Sequence, residues 1–255
     1  RQSSLSTRRA ALATELEASR QMAAWAKAVD GAYERSIAAA YVGEVARALS
    51  TSIELGACES VDVREFGLSD EDLDRTVRAP AVLQFIAAHA TSGHYLEIAK
   101  RAHEVGCGAL GLGDATLEAV QSEFSRFADQ QVIPIAQQVH RQDKLIPIEL
   151  VQQLGDMGVF GLTVPERYSG LGMSKVAMCV VTEELSRGYI GVGSIGTRSE
   201  IAAELILGNG TDAQKERWLS PLATGKVLPT AVFTEPNNGS DLAHVTTRAV
   251  RQSDG

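Results

Sequence analysis

Apolar residues recur at helical spacing along most of the chain. Over residues 5–50, Leu12, Leu16, Trp25 and Val29 follow this spacing, and the segment contains no proline and only two glycines. Apolar residues that repeat every three or four positions favour an amphipathic helix. The pattern therefore predicts one or two long helices in the first fifty residues.

Signals for helix starts occur at two further points. Ser69 precedes the acidic residues of "SDED", which is typical of an N-cap followed by a first turn that suits the helix dipole. Thr211 stands three residues before Gln214, which is the arrangement of a capping box. The other predicted helices are "GHYLEIAKRAHEVG" ending at Gly106, an amphipathic segment from Leu117 to about Pro134, and the ranges 148–158, 174–187 and 197–208.

Two changes of pattern divide the chain. The segment "GCGALGLGD", residues 106–114, has four glycines in nine positions and is typical of a boundary. At Val227 short apolar and alternating runs, "VLPTAVF" and "VTTRAV", replace the helical spacing and predict strands. The predicted fold class is mainly α: a helical extension over 1–113, a helical domain over 114–228, and the start of a β-domain over 229–255, which we expect to be incomplete.

Composition and charge exclude several classes of protein. The 255 residues are 44 % hydrophobic and 22 % charged, which is typical of a globular protein. The net charge of −8, without a Lys/Arg block, disfavours nucleic acid as a partner. The three cysteines form no C-x-x-C pair, which favours a reducing compartment, either the cytoplasm or, as the alternative, the mitochondrial matrix. No apolar run approaches the roughly 20 residues of a membrane span.

Two glycine motifs match G-x-G-x-x-G, one beginning at Gly106 and the other at Gly191. A dinucleotide site requires a strand before these glycines and a helix after them, whereas both motifs here follow helical sequence. We therefore expect ordinary interhelical loops at both. The five histidines form no i, i+4 pair with a nearby carboxylate cluster, so the sequence predicts no metal site.

The stretch "TEPNNGSDLAHVTTRA", residues 234–249, has two interpretations. Asn238-Gly239 is a strong signal for a tight hairpin turn with positive φ angles. However, eleven residues separate the two apolar runs, which is too many for a two-residue turn. Alternatively, Gly239 and Ser240 suit the approach of a phosphate, because glycine exposes backbone N–H groups and serine adds a hydroxyl donor.

At this point the sequence resembles the acyl-CoA dehydrogenase family, which carries a T-E-P-x-A-G-S-D loop after an N-terminal helical domain. Here the loop runs from Thr234 to Asp241 as "TEPNNGSD". The segments "GVFGLTVPERYSGLGMS", "TEELSRG" and "GNGTDAQKERWLSPLATGKVLPTAVFTEP" agree in order and spacing, so the likeness covers about residues 115–255. Two positions depart from the family pattern: Asn238 replaces an alanine, and Ser169 stands where a glycine pair is common.

The resemblance implies FAD as cofactor and the α,β-dehydrogenation of an acyl-CoA thioester. By matching positions, Ala231, Phe233 and Thr234 line the isoalloxazine, while Gly239 and Ser240 meet the FAD pyrophosphate. Ser240 also faces the CoA side of the substrate. The family's catalytic glutamate lies in a C-terminal helical domain that this sequence lacks, so the resemblance assigns no catalytic residue in this chain.

The extension over residues 1–113 resembles that of a bacterial branch of the family whose substrates carry a free carboxylate. It implies a short branched dicarboxylic acyl-CoA such as methylsuccinyl-CoA. Burying an unpaired carboxylate is costly, so we expect a cation near it, and Arg198 in "GTRSE" is the candidate. The alternative for Arg198 is an ion pair with Glu200 or Glu204.

The family resemblance further implies an electron-transfer flavoprotein as electron acceptor and a homodimer or homotetramer. Two alternative functions stay open at this stage. Flavin-dependent oxidases and monooxygenases share the fold, so the fold does not distinguish them from dehydrogenases. The chain could also be a non-catalytic helical interaction module whose "TEP" loop has lost its ligand.

Overall fold

The computed structural model describes residues 2–51, 53–54, 60–61, 67–250 and 252, and the mainly α fold class is confirmed. Its strands are β1 (Ile53–Glu54) and β2 (Ser60–Val61), which pair antiparallel. Its helices are α1 (Gln2–Val29), α2 (Ala32–Thr51), α3 (Asp70–Arg75), α4 (Pro80–His89), α5 (Ser92–Val105), α6 (Ala115–Phe127), α7 (Ile133–Arg141), α8 (Ile148–Asp156), α9 (Lys175–Gly188), α10 (Ile190–Asn209) and α11 (Asp212–Ala223).

The predicted N-cap at Ser69 and the predicted capping box at Thr211 are both confirmed. The Ser69 side chain accepts from the Asp72 amide at the start of α3, and the Asp72 carboxylate accepts from the Ser69 amide in return. Thr211 and Gln214 make the same reciprocal pair at the start of α11. In both cases the local sequence satisfies amides that a helix start leaves without intrahelical partners.

The chain divides into two compact units, residues 1–111 and 112–255. In the first unit α2 packs against α1, α4 and α5. The buried side chains there are small, with Ala26, Ala38 and Ala40 among them and Leu73 as the largest. Small residues let the helices approach closely. The domain boundaries drawn from the sequence stay a prediction.

The glycine-rich loop of the first unit is fixed against α1 and α2. The buried Glu34 carboxylate accepts from the Ala109 amide at 2.9 Å, and the Trp25 indole donates to the Ala109 carbonyl at 3.0 Å. Gly111 has φ 68°, and a Cβ there would lie 2.6 Å from the Val29 side chain. The glycines of this loop therefore allow positive φ angles and close packing. The interhelical loop expected at the first glycine motif is confirmed.

The second unit has a larger apolar core. Leu154, Leu185 and Val192 are fully buried in one cluster formed by α6, α8, α9 and α10, and Leu219 of α11 is buried in a neighbouring cluster. Ser169, which departs from the family pattern, has φ 64° at the end of a short turn. This left-handed conformation favours glycine and explains why glycine suits that position.

The helix expected to end near Pro134 instead continues. Ala128–Val132 forms one π-helical turn after α6, and α7 begins directly at Ile133. Pro134 lies in the first turn of α7 and directly follows the π-helical turn, where the Ile133 amide donates to the Ala128 carbonyl five residues back instead of four. This wider turn interrupts the regular hydrogen-bond ladder next to the proline, which has no N–H to donate. The sequence pattern did not reveal this because proline more often marks a helix end.

The second glycine motif lies inside α10, which begins at Ile190 rather than near residue 197, so the expected interhelical loop is wrong there. A Cβ at Gly193 would lie 2.0 Å from the Ser186 hydroxyl of α9, and one at Gly196 would lie 2.9 Å from Val159. These glycines are needed for close contact between packed segments. Tertiary packing thus overrides the low helix propensity of glycine.

Neither predicted strand after Val227 forms in the part of the chain that the structure describes. Residues 228–234 and 245–250 carry no ladder, and the isolated bridge in this region joins Glu235 to Asn238. A strand is stabilised by hydrogen bonds to a neighbouring strand, and these segments have no such neighbour among the described residues. The start of a β-domain over 229–255 stays a prediction.

Candidate functional site

A cleft of about 210 Å³ lies between α10 and the segment that follows α11. It is lined by Arg198, Ile201, Ala202, Leu205, Thr230, Ala231, Val232 and Phe233. Leu205 and Phe233 are exposed, with 53 % and 44 % of their surface accessible. The structure therefore brings Arg198 together with Ala231 and Phe233, two of the residues expected to line a flavin.

Arg198 does not pair with the neighbouring glutamates, so the alternative interpretation of this residue is wrong. Lys175 of α9 binds both Glu200 and Glu204, at 2.5 Å to Glu204, and Thr163 also donates to Glu200. The reason is helical geometry, since residues two or six positions apart do not face each other on a helix. Among the described residues Arg198 has no hydrogen bond or ion pair, and it is exposed beside the cleft.

The loop after Phe233 turns at Pro236-Asn237. The Glu235 amide donates to the Asn238 carbonyl at 2.8 Å, and the Asn238 amide donates back at 3.2 Å. Proline favours the first central position of such a turn because its φ is fixed near −65°. Neither Asn238 nor Gly239 has a positive φ, so the proposed Asn238-Gly239 turn is wrong.

Gly239 and Ser240 follow the turn and are exposed. Within the described chain, the Gly239 amide, the Ser240 amide and the Ser240 hydroxyl have no hydrogen-bond partner, and neither does the Thr234 hydroxyl. A Cβ placed on Gly239 would meet no atom within 4 Å. Open space beside several unpaired donors is compatible with an anion such as the FAD pyrophosphate, so the residues present fit the cofactor that the family implies.

The carboxylate of Glu235 closes this loop. It accepts from the Thr246 amide at 2.9 Å, the Thr246 hydroxyl at 2.8 Å and the Thr247 amide at 2.5 Å. Hydrogen bonds from the Thr247 and Thr246 side chains and amides favour the charged form and lower the pKa of Glu235 to about 2. Glu235 is therefore ionised at neutral pH, and its hydrogen bonds join the two ends of the loop between Glu235 and Thr246.

A second set of contacts orders the middle of the loop. The Asn238 side-chain amide donates to the Asp241 carbonyl at 2.7 Å, and His244 Nδ1 lies 2.7 Å from the Asp241 carboxylate. The hydrogen bond to Asp241 raises the pKa of His244. Asn238, one of the departures from the family pattern, thus has a structural role in the loop.

Comparison with known proteins gives the family of the second unit. Residues 114–226 match the family model "Acyl-CoA dehydrogenase, N-terminal domain". The chain contains an acyl-CoA dehydrogenase N-terminal domain. The match covers helices α6–α11 and ends shortly before the cleft-lining segment of residues 230–233.

Three similar proteins extend this finding. The chain is 47 % identical to (2S)-methylsuccinyl-CoA dehydrogenase of Cereibacter sphaeroides over 249 residues, covering 95 % of this chain and 45 % of that protein. It is 33 % identical to the rat mitochondrial short-chain specific acyl-CoA dehydrogenase, covering 50 % and 31 % of the two chains. Glutaryl-CoA dehydrogenase from Mycobacterium smegmatis aligns with a TM-score of 0.51 at 30 % identity, covering 55 % and 36 %. The chain thus spans less than half the length of each relative.

The acyl-CoA dehydrogenase domain and the loop that follows it bring together only part of the predicted site. Ala231, Phe233 and Arg198 share the cleft, whereas Gly239 and Ser240 lie in the loop closed by Glu235. Sequence reasoning gave no role to Glu235, Thr246 or Thr247, because contacts across eleven residues leave no periodic signal. It also missed Lys175, which binds the two glutamates.

Two further findings concern the described residues. None of their helices is both long enough and apolar enough to cross a membrane. No group of three or more histidine, cysteine, aspartate or glutamate side chains among them could hold a metal ion.

Proposed function

We propose that this chain is part of an FAD-dependent acyl-CoA dehydrogenase that acts on a short branched dicarboxylic acyl-CoA such as methylsuccinyl-CoA. The observation that carries the proposal is the placement of the "TEPNNGSD" loop, which follows the family's N-terminal domain and keeps its Gly-Ser donors unpaired. The similarity to a methylsuccinyl-CoA dehydrogenase over 95 % of this chain supports the substrate class.

The residues of this chain have binding and orienting roles in the proposal. Ala231 and Phe233 give the isoalloxazine an apolar wall, and the Thr234 hydroxyl offers a donor at its edge. Gly239 and Ser240 hold the pyrophosphate, and Ser240 also contacts the CoA side of the substrate. When bound, FAD supplies the hydride-accepting chemistry that no side chain offers. The proposal assigns no proton-abstracting residue among the residues named here.

Arg198 is proposed to recognise the free carboxylate of the substrate. The side chain lines the cleft, and the carboxylates nearest to it in sequence are bound by Lys175. A guanidinium can donate two parallel hydrogen bonds to a carboxylate, which makes it more selective than a point charge. A neutral acyl-CoA lacks the group that this contact requires.

The test uses the full-length enzyme and its Arg198→Ala variant with methylsuccinyl-CoA and with a neutral acyl-CoA of similar size. We expect the KM for the dicarboxylic substrate to rise about tenfold or more, since a hydrogen-bonded charge pair is lost, and the KM for the neutral one to change little. Arg217→Ala, on the exposed side of α11, is the matched control. Equal effects on both substrates would exclude this role for Arg198.

Flavin spectroscopy separates the proposed activity from the two alternatives. Anaerobic addition of the dicarboxylic acyl-CoA should bleach the flavin absorbance, and reoxidation in air should be slow. Rapid reoxidation would favour an oxidase or monooxygenase. A full-length protein that is colourless and cannot be reconstituted with FAD would favour the interaction module. An electron-transfer flavoprotein as acceptor, a homodimer or homotetramer, and a cytoplasmic location belong to the same proposal.

A further inference from the structure

The carboxylate of Glu235 lies at the point where the two ends of the "TEPNNGSD" loop meet. Its oxygens accept from the amides of both Thr246 and Thr247 and from the Thr246 hydroxyl, all between 2.5 and 3.1 Å. Glu235 and Thr246 are eleven positions apart, so these contacts close a ring of chain that contains Gly239 and Ser240. No other side chain in the described part of the loop spans such a separation.

Inside this ring the polar groups fall into two sets. The first set is satisfied internally: Glu235 and Asn238 exchange backbone hydrogen bonds, and Asn238 and His244 both contact Asp241. The second set has no partner in the described chain and includes the amides of Gly239 and Ser240 and the Ser240 hydroxyl. The internal bonds therefore fix the backbone on both sides of the unpaired donors.

The charge of Glu235 is compatible with an anion bound nearby because several donors surround it. The hydrogen bonds that lower its pKa to about 2 also keep the carboxylate directed at Thr246 and Thr247. A carboxylate held in this way orders the chain while its oxygens are occupied by the donors of Thr246 and Thr247. Fixing a donor set before binding raises affinity because less conformational entropy is lost on association.

We propose that Glu235 is a positioning residue that pre-forms the FAD pyrophosphate site by binding the Thr246-Thr247 segment, and that it does not itself contact FAD. This inference rests on the proposed function of the chain. It extends that function because it attributes the ordering of the loop to the hydrogen bonds of Glu235 with Thr246 and Thr247. The proposal predicts two separable results of removing the carboxylate, one in the loop and one in cofactor affinity.

The experiment compares the full-length wild-type enzyme with its Glu235→Gln and Glu235→Asp variants. FAD affinity of the apoprotein is measured by titration of flavin fluorescence, and loop order by hydrogen–deuterium exchange over residues 242–250. We expect Glu235→Gln to weaken FAD binding by about 10- to 100-fold, the range for a lost hydrogen-bonded charge. The exchange of residues 242–250 should accelerate in the apoprotein. Glu235→Asp keeps the negative charge on a side chain that is one methylene shorter. It should therefore restore part of the FAD affinity and part of the protection from exchange.

Two controls distinguish positioning from general damage. Glu216→Gln removes the same charge from the exposed surface of α11 and should leave FAD affinity within about twofold of wild type. The urea midpoint of Glu235→Gln apoprotein should match that of wild type, because the loop lies outside both apolar clusters of its unit. A parallel fall of urea midpoint and FAD affinity would show a structural role and overturn the proposal.

Three other outcomes are decisive. Unchanged exchange together with weakened FAD binding would show that Glu235 contacts the cofactor directly. Faster exchange without any loss of FAD affinity would show that the closed loop is not needed for binding. Either result overturns the proposal. If wild-type protein binds no FAD, the proposed function fails, and the exchange data still report whether Glu235 closes the loop.

Discussion

Two glycine-containing loops of this protein are each held by one glutamate, but they leave different groups available. In the first unit, Glu34 binds the Ala109 amide and Trp25 binds the Ala109 carbonyl. In the second unit, Glu235 binds Thr246 and Thr247, which lie eleven and twelve positions later in the chain. The Gly239-Ser240 donors stay unpaired in the described chain. A glycine motif alone therefore does not identify an anion site. The first loop shows this, because a carboxylate already binds its Ala109 amide.

The glycines themselves show the same difference. A Cβ on Gly111 would lie 2.6 Å from Val29, and the residue has φ 68°. A Cβ on Gly239 would meet no atom within 4 Å, and its φ is not positive. The first glycine is required by the fold of its own unit. The second is not required in this way, and the proposed pyrophosphate site would account for a glycine there.

The largest expected effect is on the stability of the first unit. Gly111→Ala should destabilise it by about 2–4 kcal/mol, because left-handed strain adds to a clash with Val29. Urea unfolding monitored by Trp25 fluorescence measures this loss. Gly67→Ala, in the same unit, with positive φ but open space around its Cβ, is the matched control and should cost about 1 kcal/mol. Equal losses in the two variants would contradict the packing argument.

Gly239→Ala should give the opposite result. Its stability should stay within about 0.5 kcal/mol of wild type, since its Cβ meets no atom of the described chain. FAD affinity should fall about tenfold, because the methyl group occupies space proposed for the pyrophosphate. Urea unfolding of the apoprotein and fluorescence titration with FAD measure the two quantities. A stability loss like that of Gly111→Ala would remove the distinction between the two loops.

Ser240→Ala should have a smaller effect on the same ligand. Loss of one hydroxyl donor should weaken FAD binding by about three- to tenfold, as expected for a neutral hydrogen bond near 1 kcal/mol. Ser240→Thr keeps the hydroxyl and serves as the control, with affinity closer to wild type. If both variants bind FAD as wild type does, the hydroxyl is not part of the pyrophosphate site.

The smallest expected effect concerns the pH range over which Glu235 titrates. The pKa of Glu235 is lowered from 4.5 to about 2, so its contribution to loop order is complete above pH 4.5 and is lost as pH falls through about 2. The Thr246 and Thr247 amide resonances should therefore show no inflection between pH 7 and pH 3.5. The Ala109 amide should likewise show its inflection below the ordinary range of a glutamate, because the hydrogen bond from that amide lowers the pKa of Glu34. An inflection near pH 4.5 at Thr246 would show an open loop.

Local signals predicted most of the helices. The caps at Ser69 and Thr211 mark where α3 and α11 begin, since a cap depends on residues three positions apart. Local signals failed at Pro134 and in the first turns of α10. There a π-helical turn and the close packing of Gly193 on Ser186 decided the structure. Both depend on neighbours that are distant in sequence.

The candidate site likewise contains residues that could be identified from the sequence and contacts that could not. The residues that match the family motif, from Ala231 to Ser240, are consecutive and could be named from the sequence. The lack of an ion pair at Arg198 among the described residues could not be predicted, because Lys175 reaches Glu200 and Glu204 from another helix. The hydrogen bonds of Glu235 were also unpredictable, since they depend on where the chain returns eleven residues later.

The sequence by itself determined the helical fold class, the capping residues and the likeness to acyl-CoA dehydrogenases, because these depend on short-range spacing and on consecutive motifs. The tertiary structure alone decided which glycines serve packing, which carboxylates are already paired and which donors stay unpaired. Whether a carboxylate or a donor is paired depends on which groups lie close to it in space, and these groups can be far apart in the sequence. The first loop holds four glycines and its Ala109 amide is bound by Glu34, whereas the second holds one glycine whose Gly239-Ser240 donors have no partner in the described chain.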